Sequence, residues 1–291
     1  MISILIPCYN YNALPLVTRL EKEALSLGIV YEIICIDDAS FSEKNTTNQK
    51  INILTNSKFY ESQKNIGRVK NRQLLAKKAQ YNWLLFIDVD TNPRLDNFLS
   101  TYLKQINNKD KVYFGGFSYK SNSDNKNKLR FKFGKKREEI NSEIRTKNKY
   151  KHIISSNFLI DKNIFTTINS KINFNSYGMD YYFGSLLKKY KISLKHIDNE
   201  VIHLGIDEND KFLSKTNEAL KSLINLHRKG SIVKHDITIL KYYKLLKLLL
   251  LKKMIGYIGL LLSKNIESNL TGNNPNLIIF DFYRISYLCR L

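Results

Sequence analysis

Cysteine is scarce in this sequence, and the few cysteines form no recognisable pair. The 291 residues contain Cys8, Cys35 and Cys289, with no CxxC motif and no spacing typical of a metal site. Cys8 and Cys35 lie in apolar, strand-like stretches, where a free thiol usually acts as a small hydrophobic side chain. We therefore expect no disulfide framework, and a reducing cytoplasm is the simplest environment for the chain.

Long apolar runs are also absent from the sequence. No stretch reaches the ~18 to 20 apolar residues that a membrane-spanning helix needs. Residues 2–6 lead straight into Pro7 without a basic segment or a cleavage site, so no secretory signal is expected.

Acidic residues are few for the number of basic ones. The chain has 47 Lys and Arg against 26 Asp and Glu, which gives a formal net charge of +21. Such a charge suits nucleic acid, an anionic membrane or phosphorylated substrates. The joint richness in Lys, Asn and Ile also fits a biased codon supply, in which case many of the lysines have no partner.

Short apolar runs alternate with helical patterns in the first third of the chain. Strands are predicted at residues 2–6, 31–36, 51–54 and 83–87, and helices at 14–27 and 69–79. Runs that are apolar throughout indicate a parallel sheet covered by helices on both faces. The predicted fold class is a doubly wound α/β domain, in which ligands bind beyond the carboxyl ends of the strands.

The rest of the chain predicts a basic excursion and a helical extension. Residues 120–151 carry twelve Lys and Arg against four Asp and Glu and predict a partly helical departure from the sheet. Strand patterns return at 152–160 and 192–204, with a helix at 180–190 between them. Beyond 208 the pattern is helical, at 212–228, 237–263 and 277–291. We predict an α/β domain over residues 1–207 and a helical, basic extension over 208–291.

Two carboxylates follow the predicted strand at 83–87. In Asp88-Val89-Asp90 both acidic side chains can face one crevice once the strand has turned. Mg²⁺ and Mn²⁺ take oxygen ligands of this kind, together with substrate phosphates. The alternative is an Asp-rich turn that only caps the next helix.

Further charged groups are expected at the same edge of the sheet. Asp37-Asp38 follows another strand, and its carboxylates are costly to place near a second acidic pair without donors or a cation between them. Arg68 and Arg72 could supply that charge and hold phosphate, helped by a helix N-terminus after Gly67.

Four short motifs occur in order along the chain. They are Ile6-Pro7-Cys8-Tyr9-Asn10, Ile36-Asp37-Asp38-Ala39-Ser40, Asn65-Ile66-Gly67 with Asn71-Arg72, and Phe86-Ile87-Asp88-Val89-Asp90. Together they resemble family 2 glycosyltransferases, the large inverting group with the GT-A fold, over roughly residues 1 to 205. The resemblance implies a GT-A type, Rossmann-like and mostly parallel sheet, to which a C-terminal helical extension is added.

The resemblance also implies a reaction and a donor site. The protein would move a sugar from a nucleoside-diphosphate sugar to a saccharide or lipid-linked acceptor, as in polysaccharide biosynthesis. The nucleotide would be UDP, which is common in the family. Mg²⁺ or Mn²⁺ would be the cofactor, with Asp90 as a metal ligand. The residues implied in donor-nucleotide binding are Pro7, Cys8, Tyr9, Asp37 or Asp38 or both, Arg72 and Asp88. Cys8 stands where the family often has Thr or Ser, which is tolerable if backbone atoms make the contact.

An acceptor side is implied by a later motif. Tyr177-Gly178-Met179-Asp180 resembles the Gly-x-Glu-Asp element of the family, in which Asp180 would be the general base that deprotonates the acceptor hydroxyl. Met179 replaces the usual Glu, which makes acceptor binding less predictable. Asn157 is in a small polar segment, Ser155-Ser156-Asn157, that resembles the one before the acceptor pocket, and a structural turn is the alternative.

His203 follows a predicted strand and has two interpretations. In related enzymes a histidine in this region can complete the metal site, and imidazole is a plausible ligand for Mn²⁺. A single histidine after a strand is more often structural.

The C-terminal extension is both basic and apolar. Between Ser231 and Asn265 there are seven Lys and one acidic residue, Asp236, within a leucine-rich series. A helix of this type over residues 236–265 could lie on an anionic membrane, which would place the protein at the inner membrane face. An ordinary helix packed on the domain, or on a second subunit of a homo-oligomer, is the alternative.

Two other functions compete with glycosyl transfer. A sugar nucleotidyltransferase would also use paired carboxylates on Mg²⁺, but it should carry a Gly-rich basic loop after the first strand, where this chain has Pro7-Cys8-Tyr9-Asn10. A nucleic-acid-binding protein should combine basic and aromatic residues on one recognition element. The densest basic segments here lie outside the predicted active edge, so we expect no nucleic acid partner.

Overall fold

The computed structural model describes residues 1–106, 109–122, 124–173, 175–232 and 235–291. Ser123 in the basic excursion and Lys234 in the basic extension lie outside the described residues. The strands are β1 Ile2–Cys8, β2 Tyr31–Asp37, β3 Ser57–Glu61, β4 Trp83–Ile87, β5 Thr91–Pro93, β6 Val112–Phe114, β7 Phe117–Ser118, β8 Asn157–Asp161, β9 Leu194–His196 and β10 Val201–His203.

Helices account for most of the remaining described chain. They are α1 Leu14–Ser26, α2 Lys44–Asn48, α3 Gly67–Lys78, α4 Phe98–Leu103, α5 Leu129–Arg137, α6 Ser142–Lys147, α7 Lys162–Asn169, α8 Met179–Lys189, α9 Asn209–Arg228, α10 Thr238–Leu248, α11 Lys252–Leu261, α12 Ser263–Thr271 and α13 Leu277–Arg290. A 3₁₀ helix, Gln49–Ile53, follows α2 directly.

The main sheet has seven strands in the order β3-β2-β1-β4-β8-β6-β9. Its first four strands run parallel to one another, and β6 is parallel to β9, whereas β8 is antiparallel to both of its neighbours. A second sheet joins β5, β10 and β7. The prediction of a mostly parallel α/β sheet is therefore confirmed.

Helices cover the main sheet on both faces because its central strands are apolar on both sides. Ile4 and Leu5 are adjacent in β1, and both are fully buried. Successive side chains of a strand point to opposite faces, and these two belong to different cores. The Leu5 core includes α3, α7, α8 and α9, and the Ile4 core includes α1 and α4.

The third strand lies later in the chain than the sequence predicts. The predicted strand at 51–54 is instead the end of the 3₁₀ helix, whose Ile51 is buried, and β3 starts at Ser57. β3 is an edge strand that buries Ser57 and Phe59 and exposes the side chains between and after them. A strand of that kind alternates polar and apolar residues, so the apolar run that marks the central strands is missing.

The predicted strand at 192–204 is two strands in two sheets. β9 pairs with β6 in the main sheet, and β10 pairs with β5 and β7 in the small one. The split matters because β10 carries His203 towards the turn that follows β4.

The basic excursion folds back onto the sheet rather than leaving it. Arg145 of α6 is fully buried, and its guanidinium donates hydrogen bonds to the carbonyl oxygens of Phe114, Gly115 and Ile197. Leu129 at the start of α5 packs in a small core with residues of α9, α12 and α13. The excursion therefore connects the sheet to the C-terminal helices.

The C-terminal helices share a core with the sheet. Leu220, Leu223 and Ile224 of α9 belong to the same core as Leu5 and Phe86. The boundary predicted at 207/208 therefore marks the start of a helix that covers the sheet. Within the described ranges, no helix combines the length and apolarity needed to cross a bilayer.

Candidate functional site

A cleft of about 1150 Å³ opens where β1 and β4 end. It is the position at which open α/β sheets bind their ligands. Twelve of the sequence-predicted residues line it: Pro7, Cys8, Tyr9, Asp38, Arg72, Asp88, Asp90, Tyr177, Gly178, Met179, Asp180 and His203. Asp37 and Asn157 are outside this lining.

Asp37 and Asp38 have different surroundings although they are neighbours. Asp37 is fully buried, and its carboxylate accepts hydrogen bonds from the backbone N–H and hydroxyl of Ser40 and from the side chain of Asn45. Asp37 therefore stabilises the turn after β2. Asp38 reaches the cleft wall instead, so the structure brings only the second carboxylate of the pair to the site.

Asp38 is bonded to the N-terminus of α3. Its two oxygens accept the backbone N–H groups of Ile66 and Gly67 at 2.8 and 2.7 Å. Gly67 has a φ of +79°, a conformation that favours glycine. The Asn-Ile-Gly motif thus positions Asp38, because a carboxylate at this point satisfies N–H groups that a helix leaves unpaired.

The Pro7-Cys8-Tyr9 segment contributes one exposed ring and one buried thiol. The thiol of Cys8 donates to the carbonyl oxygen of Tyr11 at 3.4 Å and is buried, so this side chain offers little surface to a ligand. Tyr9 is largely exposed and is free to stack on a planar group.

Arg72 connects α3 to the end of β4. Its Nη2 donates to Asp88 Oδ1 at 2.5 Å and to the carbonyl oxygen of Ser155 at 3.4 Å. The guanidinium is largely buried, and its Nε has no hydrogen-bond partner in the described part of the chain. An unpaired buried donor is costly, so Arg72 has a capacity for an anionic ligand in the cleft.

Asp90 faces His203 rather than Asp88. His203 Nε2 lies 3.5 Å from Asp90 Oδ2, because β10 pairs with β5 and the backbone N–H of Leu204 donates to the carbonyl oxygen of Asp90. Burial opposes the charge on Asp90, but the hydrogen bond and charge of His203 outweigh it and lower the pKa of Asp90. Asp90 is therefore ionised beside a protonated imidazole, and a cation bound to both side chains would replace that proton.

Gly205 makes room for the Asp90 side chain. A Cβ atom at Gly205 would lie 2.4 Å from Asp90 Oδ2. This glycine is not visible as a site residue in the sequence, since its importance arises only when β10 meets the turn after β4.

Asp90 and His203 could hold a divalent cation. His203 Nδ1 is buried with no hydrogen-bond partner in the described residues, and Nε2 is turned towards the ionised Asp90. No group of three or more His, Cys, Asp or Glu in that part of the chain is arranged around a common metal position. A carboxylate and an imidazole fit Mn²⁺ or Mg²⁺ only if phosphate oxygens or water supply the other ligands, as these ions accept.

Asp180 lies in the first turn of α8. Gly178 directly precedes α8 and has a φ of +83°, a conformation that favours glycine. A Cβ atom at this position would also lie 2.8 Å from the Cβ of Ala219, so both the backbone conformation and the close contact require glycine. Burial raises the pKa of Asp180; a hydrogen bond from Ser155 and the charge of Arg72 oppose the rise, and Asp88 adds to it. A carboxylate with a raised pKa is a better proton acceptor at neutral pH.

Met179 and Tyr177 differ in what they offer a ligand. Met179 is buried and belongs to the main core, so its replacement of an acidic residue leaves an apolar side chain there. Tyr177 has the guanidinium of Arg68 4.8 Å from its ring centre and Lys215 Nζ at 5.6 Å. Burial raises the pKa of Tyr177 to about 12.

Asn157 is part of the protein interior. It is fully buried, accepts a hydrogen bond from the hydroxyl of Tyr102, and donates to the carbonyl oxygens of Gly116 and Asn199. The structure therefore does not bring it to the cleft with the other predicted acceptor-side residues.

Basic residues from distant segments also line the cleft, which the sequence reasoning missed. Arg130 of the excursion donates to Glu138 at 2.9 Å, and both side chains line the cleft. Lys211 and Lys215 of α9 pair with Asp207 at 3.0 and 2.5 Å.

The expectation that the basic segments lie away from the active edge was wrong for α5. No local pattern reveals it, because the chain returns to the cleft only through packing with α9 and α13.

The fold and the cleft define an α/β protein that binds its ligand beyond the ends of parallel strands. The sequence model described as "Glycosyl transferase family 2" matches residues 3–168. The chain belongs to this family of transferase enzymes, as the four motifs predict. No curated protein matches the chain significantly.

Two solved structures are similar to the chain. The mannosyltransferase PcManGT from Pyrobaculum calidifontis, in complex with GDP-Man and Mn²⁺, has a TM-score of 0.50 and 9% identity, covering 78% of this chain and 64% of that one. S. aureus TarS 1–349 has a TM-score of 0.48 and 14% identity, covering 77% of this chain and 65% of that one. The chain thus spans less than two thirds of either. At these identities the likeness to PcManGT shows the shared fold alone.

Proposed function

We propose that this protein is an inverting glycosyltransferase that moves a sugar from a nucleoside-diphosphate sugar to an acceptor hydroxyl. The observation that carries the proposal is one cleft with two separate acidic groups. Asp90 with His203 forms the first, and Asp180, at the start of α8, forms the second. Glycosyl transfer needs this division, because the leaving diphosphate requires positive charge and the acceptor requires a base.

The donor would bind along β1, β2 and α3. Tyr9 and Asp38 suit the nucleotide base and ribose, since one offers an exposed ring and the other a carboxylate on the cleft wall. Arg72 suits the diphosphate, because its Nε has no partner in the described ranges of the chain while Asp88 fixes the guanidinium. We prefer UDP to GDP or dTDP only because UDP-sugars are common donors in the family.

Asp90 and His203 would hold Mg²⁺ or Mn²⁺ on the diphosphate. When bound, the cation would neutralise charge on the leaving diphosphate. PcManGT, which binds GDP-Man and Mn²⁺, is a precedent for this pairing of donor and metal within a shared fold. In the absence of metal His203 lowers the pKa of Asp90, and the cation would take over that role when bound, while Gly205 leaves room for the Asp90 carboxylate.

Asp180 would act as the general base. The acceptor oxygen forms a new bond to the anomeric carbon while the bond from that carbon to the diphosphate oxygen breaks. The proton of the acceptor hydroxyl passes to the Asp180 carboxylate, and the nucleoside diphosphate leaves. Attack on the face opposite the leaving group inverts the anomeric configuration.

The acceptor would enter beside α8 and α9. Tyr177, with Arg68 and Lys215 near its ring, offers an aromatic surface and positive charge, which suit a sugar ring and its anionic substituents. A saccharide or a lipid-linked saccharide, as used in polysaccharide biosynthesis, is the acceptor class that we propose, with the reaction on the cytoplasmic side.

A donor panel tests the proposed function. UDP-, GDP- and dTDP-sugars are each incubated with the protein and Mn²⁺ or Mg²⁺, and release of nucleoside diphosphate and the thermal shift are measured. We expect at least one donor to raise the melting temperature and to release its nucleotide in a metal-dependent way. Release of pyrophosphate from a nucleoside triphosphate and sugar phosphate, with no diphosphate release, would instead establish a nucleotidyltransferase. Salt-sensitive binding of DNA or RNA without donor turnover would also overturn the proposal.

A further inference from the structure

The helical extension carries a large apolar surface that the fold leaves exposed. We define the leucine hairpin as α10, α11 and their connection, residues 238–261. At its tip Leu248, Leu249 and Leu250 are 78%, 54% and 87% exposed. Apolar side chains in a continuous exposed patch indicate an interaction site, whereas single ones do not.

The packing of α11 directs further apolar side chains outwards. Gly256 and Gly259 form its inner face, and a Cβ at Gly259 would lie 2.4 Å from the Cβ of Ser286 in α13. The close approach fixes which side of α11 faces the protein. Outside this contact α11 exposes Met254, Tyr257, Leu260 and Leu261.

Leu250 occupies a backbone position that ordinarily favours glycine. It has a φ of +60°. Its N–H donates to the carbonyl oxygen of Lys247 at 3.2 Å, and the N–H of Leu251 donates to that of Leu246 at 2.9 Å. This pair of bonds is the helix C-terminal motif in which the left-handed residue is usually Gly. A leucine in this conformation is unfavourable for the fold, and its side chain is exposed rather than packed in the protein.

The charge around the patch identifies its partner. Residues 237–266 contain six lysines and no acidic residue, and the lysines are Lys241, Lys244, Lys247, Lys252, Lys253 and Lys264. A second copy of the chain docked through the same patch would bring these lysines against their equivalents. An anionic bilayer offers apolar chains for the leucines and phosphates for the lysines.

We propose that the leucine hairpin docks onto the surface of an anionic lipid bilayer. Leu248, Leu249 and Leu250 would enter the boundary between headgroups and acyl chains, and the lysines would contact the phosphates. The inference is independent of the reaction. It also bears on the acceptor, because residues 235–237 line the cleft and lead directly into α10, whose length is about 16 Å. Docking would therefore hold the cleft near the membrane, within reach of a lipid-linked acceptor.

Sedimentation with vesicles tests the proposal. The protein is mixed with vesicles of phosphatidylcholine containing phosphatidylglycerol, or of phosphatidylcholine alone, at low and high salt. We expect binding to the anionic vesicles, weakened by salt, and weak binding to the neutral ones. Absence of binding to anionic vesicles would overturn the proposal.

Leu250→Gly separates docking from folding. Gly suits the left-handed position, so the variant should melt at or above the wild-type temperature, while its affinity for anionic vesicles should fall by about tenfold. Ile53→Ser is the matched control, because Ile53 is 84% exposed on a distant 3₁₀ helix and should bind as the wild type does. If the double variant Leu250→Gly/Leu249→Ser bound anionic vesicles as tightly as the wild type does, the role of the tip would be refuted.

Two further measurements distinguish other partners. Lys244→Gln with Lys247→Gln should weaken binding to anionic vesicles about tenfold and leave the neutral ones unchanged. Light scattering tests whether a second copy of the chain is the partner. If the wild type were a dimer, Leu250→Gly a monomer, and neither the wild type nor the variant bound vesicles, the membrane proposal would be overturned. Nucleotide release from a soluble donor should be the same for Leu250→Gly and the wild type, so that failure of docking and failure of the proposed reaction are told apart.

Discussion

Arg72 Nη2 donates to Asp88 Oδ1 at 2.5 Å, whereas Asp90, two residues later, is turned towards His203. The two carboxylates of the Asp88-Val89-Asp90 motif therefore have different partners. Asp88 fixes a guanidinium, and Asp90 stands beside an imidazole whose Nδ1 has no hydrogen-bond partner among the residues that the structure describes. We infer that the motif divides its work between holding Arg72 for the donor and holding the cation.

This division predicts different kinetic effects for the two carboxylates. Asp90→Asn should lower metal-stimulated nucleotide release by about 100-fold or more, and excess metal should recover part of it. Asp88→Asn should raise the KM for the donor, because Arg72 loses the group that orients it, while the metal concentration for half-maximal rate stays unchanged. Metal titrations of both variants check this. The same metal dependence in Asp90→Asn as in the wild type would remove the metal assignment.

Asp180→Asn should separate donor binding from transfer. The amide cannot accept the acceptor proton, so transfer should fall by about 10²- to 10⁴-fold while the donor still produces its thermal shift. The wild-type transfer rate should rise with pH through a pKa above the ordinary Asp value, because burial raises the pKa of Asp180 and only the ionised form accepts a proton. Rates over a pH series check both points, and full transfer activity in the variant would exclude Asp180 as the base.

The same raised pKa predicts an effect on stability. In the unfolded chain Asp180 titrates like an ordinary Asp, so between that value and the raised value the folded protein binds more protons than the unfolded chain. The free energy of unfolding therefore decreases as pH rises through this window. Asp180→Asn should stabilise the protein at neutral pH and make no difference below the ordinary Asp pKa. Denaturant titrations at several pH values measure this, and a destabilised variant at neutral pH would contradict it.

The central strands could be predicted from the sequence because they are buried on both faces. β4 matches the predicted residues, and β2 differs from its prediction by one residue. β3 could not be placed, since an edge strand with one solvated face has no apolar run. The order in which β8, β6 and β9 pair depends on contacts between distant segments, which no local pattern encodes.

The site shows the same limit. Motifs and resemblance brought out Asp38, Arg72, Asp90 and Asp180, but they could not decide between Asp37 and Asp38. That choice depends on Ser40 and Asn45 binding the first carboxylate and on the N–H groups of α3 binding the second. Gly205 and Arg130 were missed because each reaches the cleft only through long-range packing.

Asn157→Ala should destabilise the protein without affecting the acceptor. Within the described residues, the change removes the partner of the Tyr102 hydroxyl and of the Asn199 carbonyl oxygen, which costs about 1 to 3 kcal/mol. The carbonyl oxygen of Gly116 keeps the hydrogen bond from the backbone N–H of Val201. Denaturant unfolding measures the loss, and the acceptor KM of the folded fraction should stay as in the wild type. A raised acceptor KM with unchanged stability would restore the acceptor role that the sequence implied.

Gly205→Ala should weaken the metal site while it leaves the fold intact. The new Cβ would lie 2.4 Å from Asp90 Oδ2, so the carboxylate must turn away from its position beside His203. We expect the metal concentration for half-maximal nucleotide release to rise about tenfold, with little change in melting temperature in the absence of metal. Leu204→Ala is the neighbouring control, because Leu204 is exposed and should titrate as the wild type does. If Gly205→Ala and Leu204→Ala require the same metal concentration, Asp90 does not hold the cation from the position that the fold gives it.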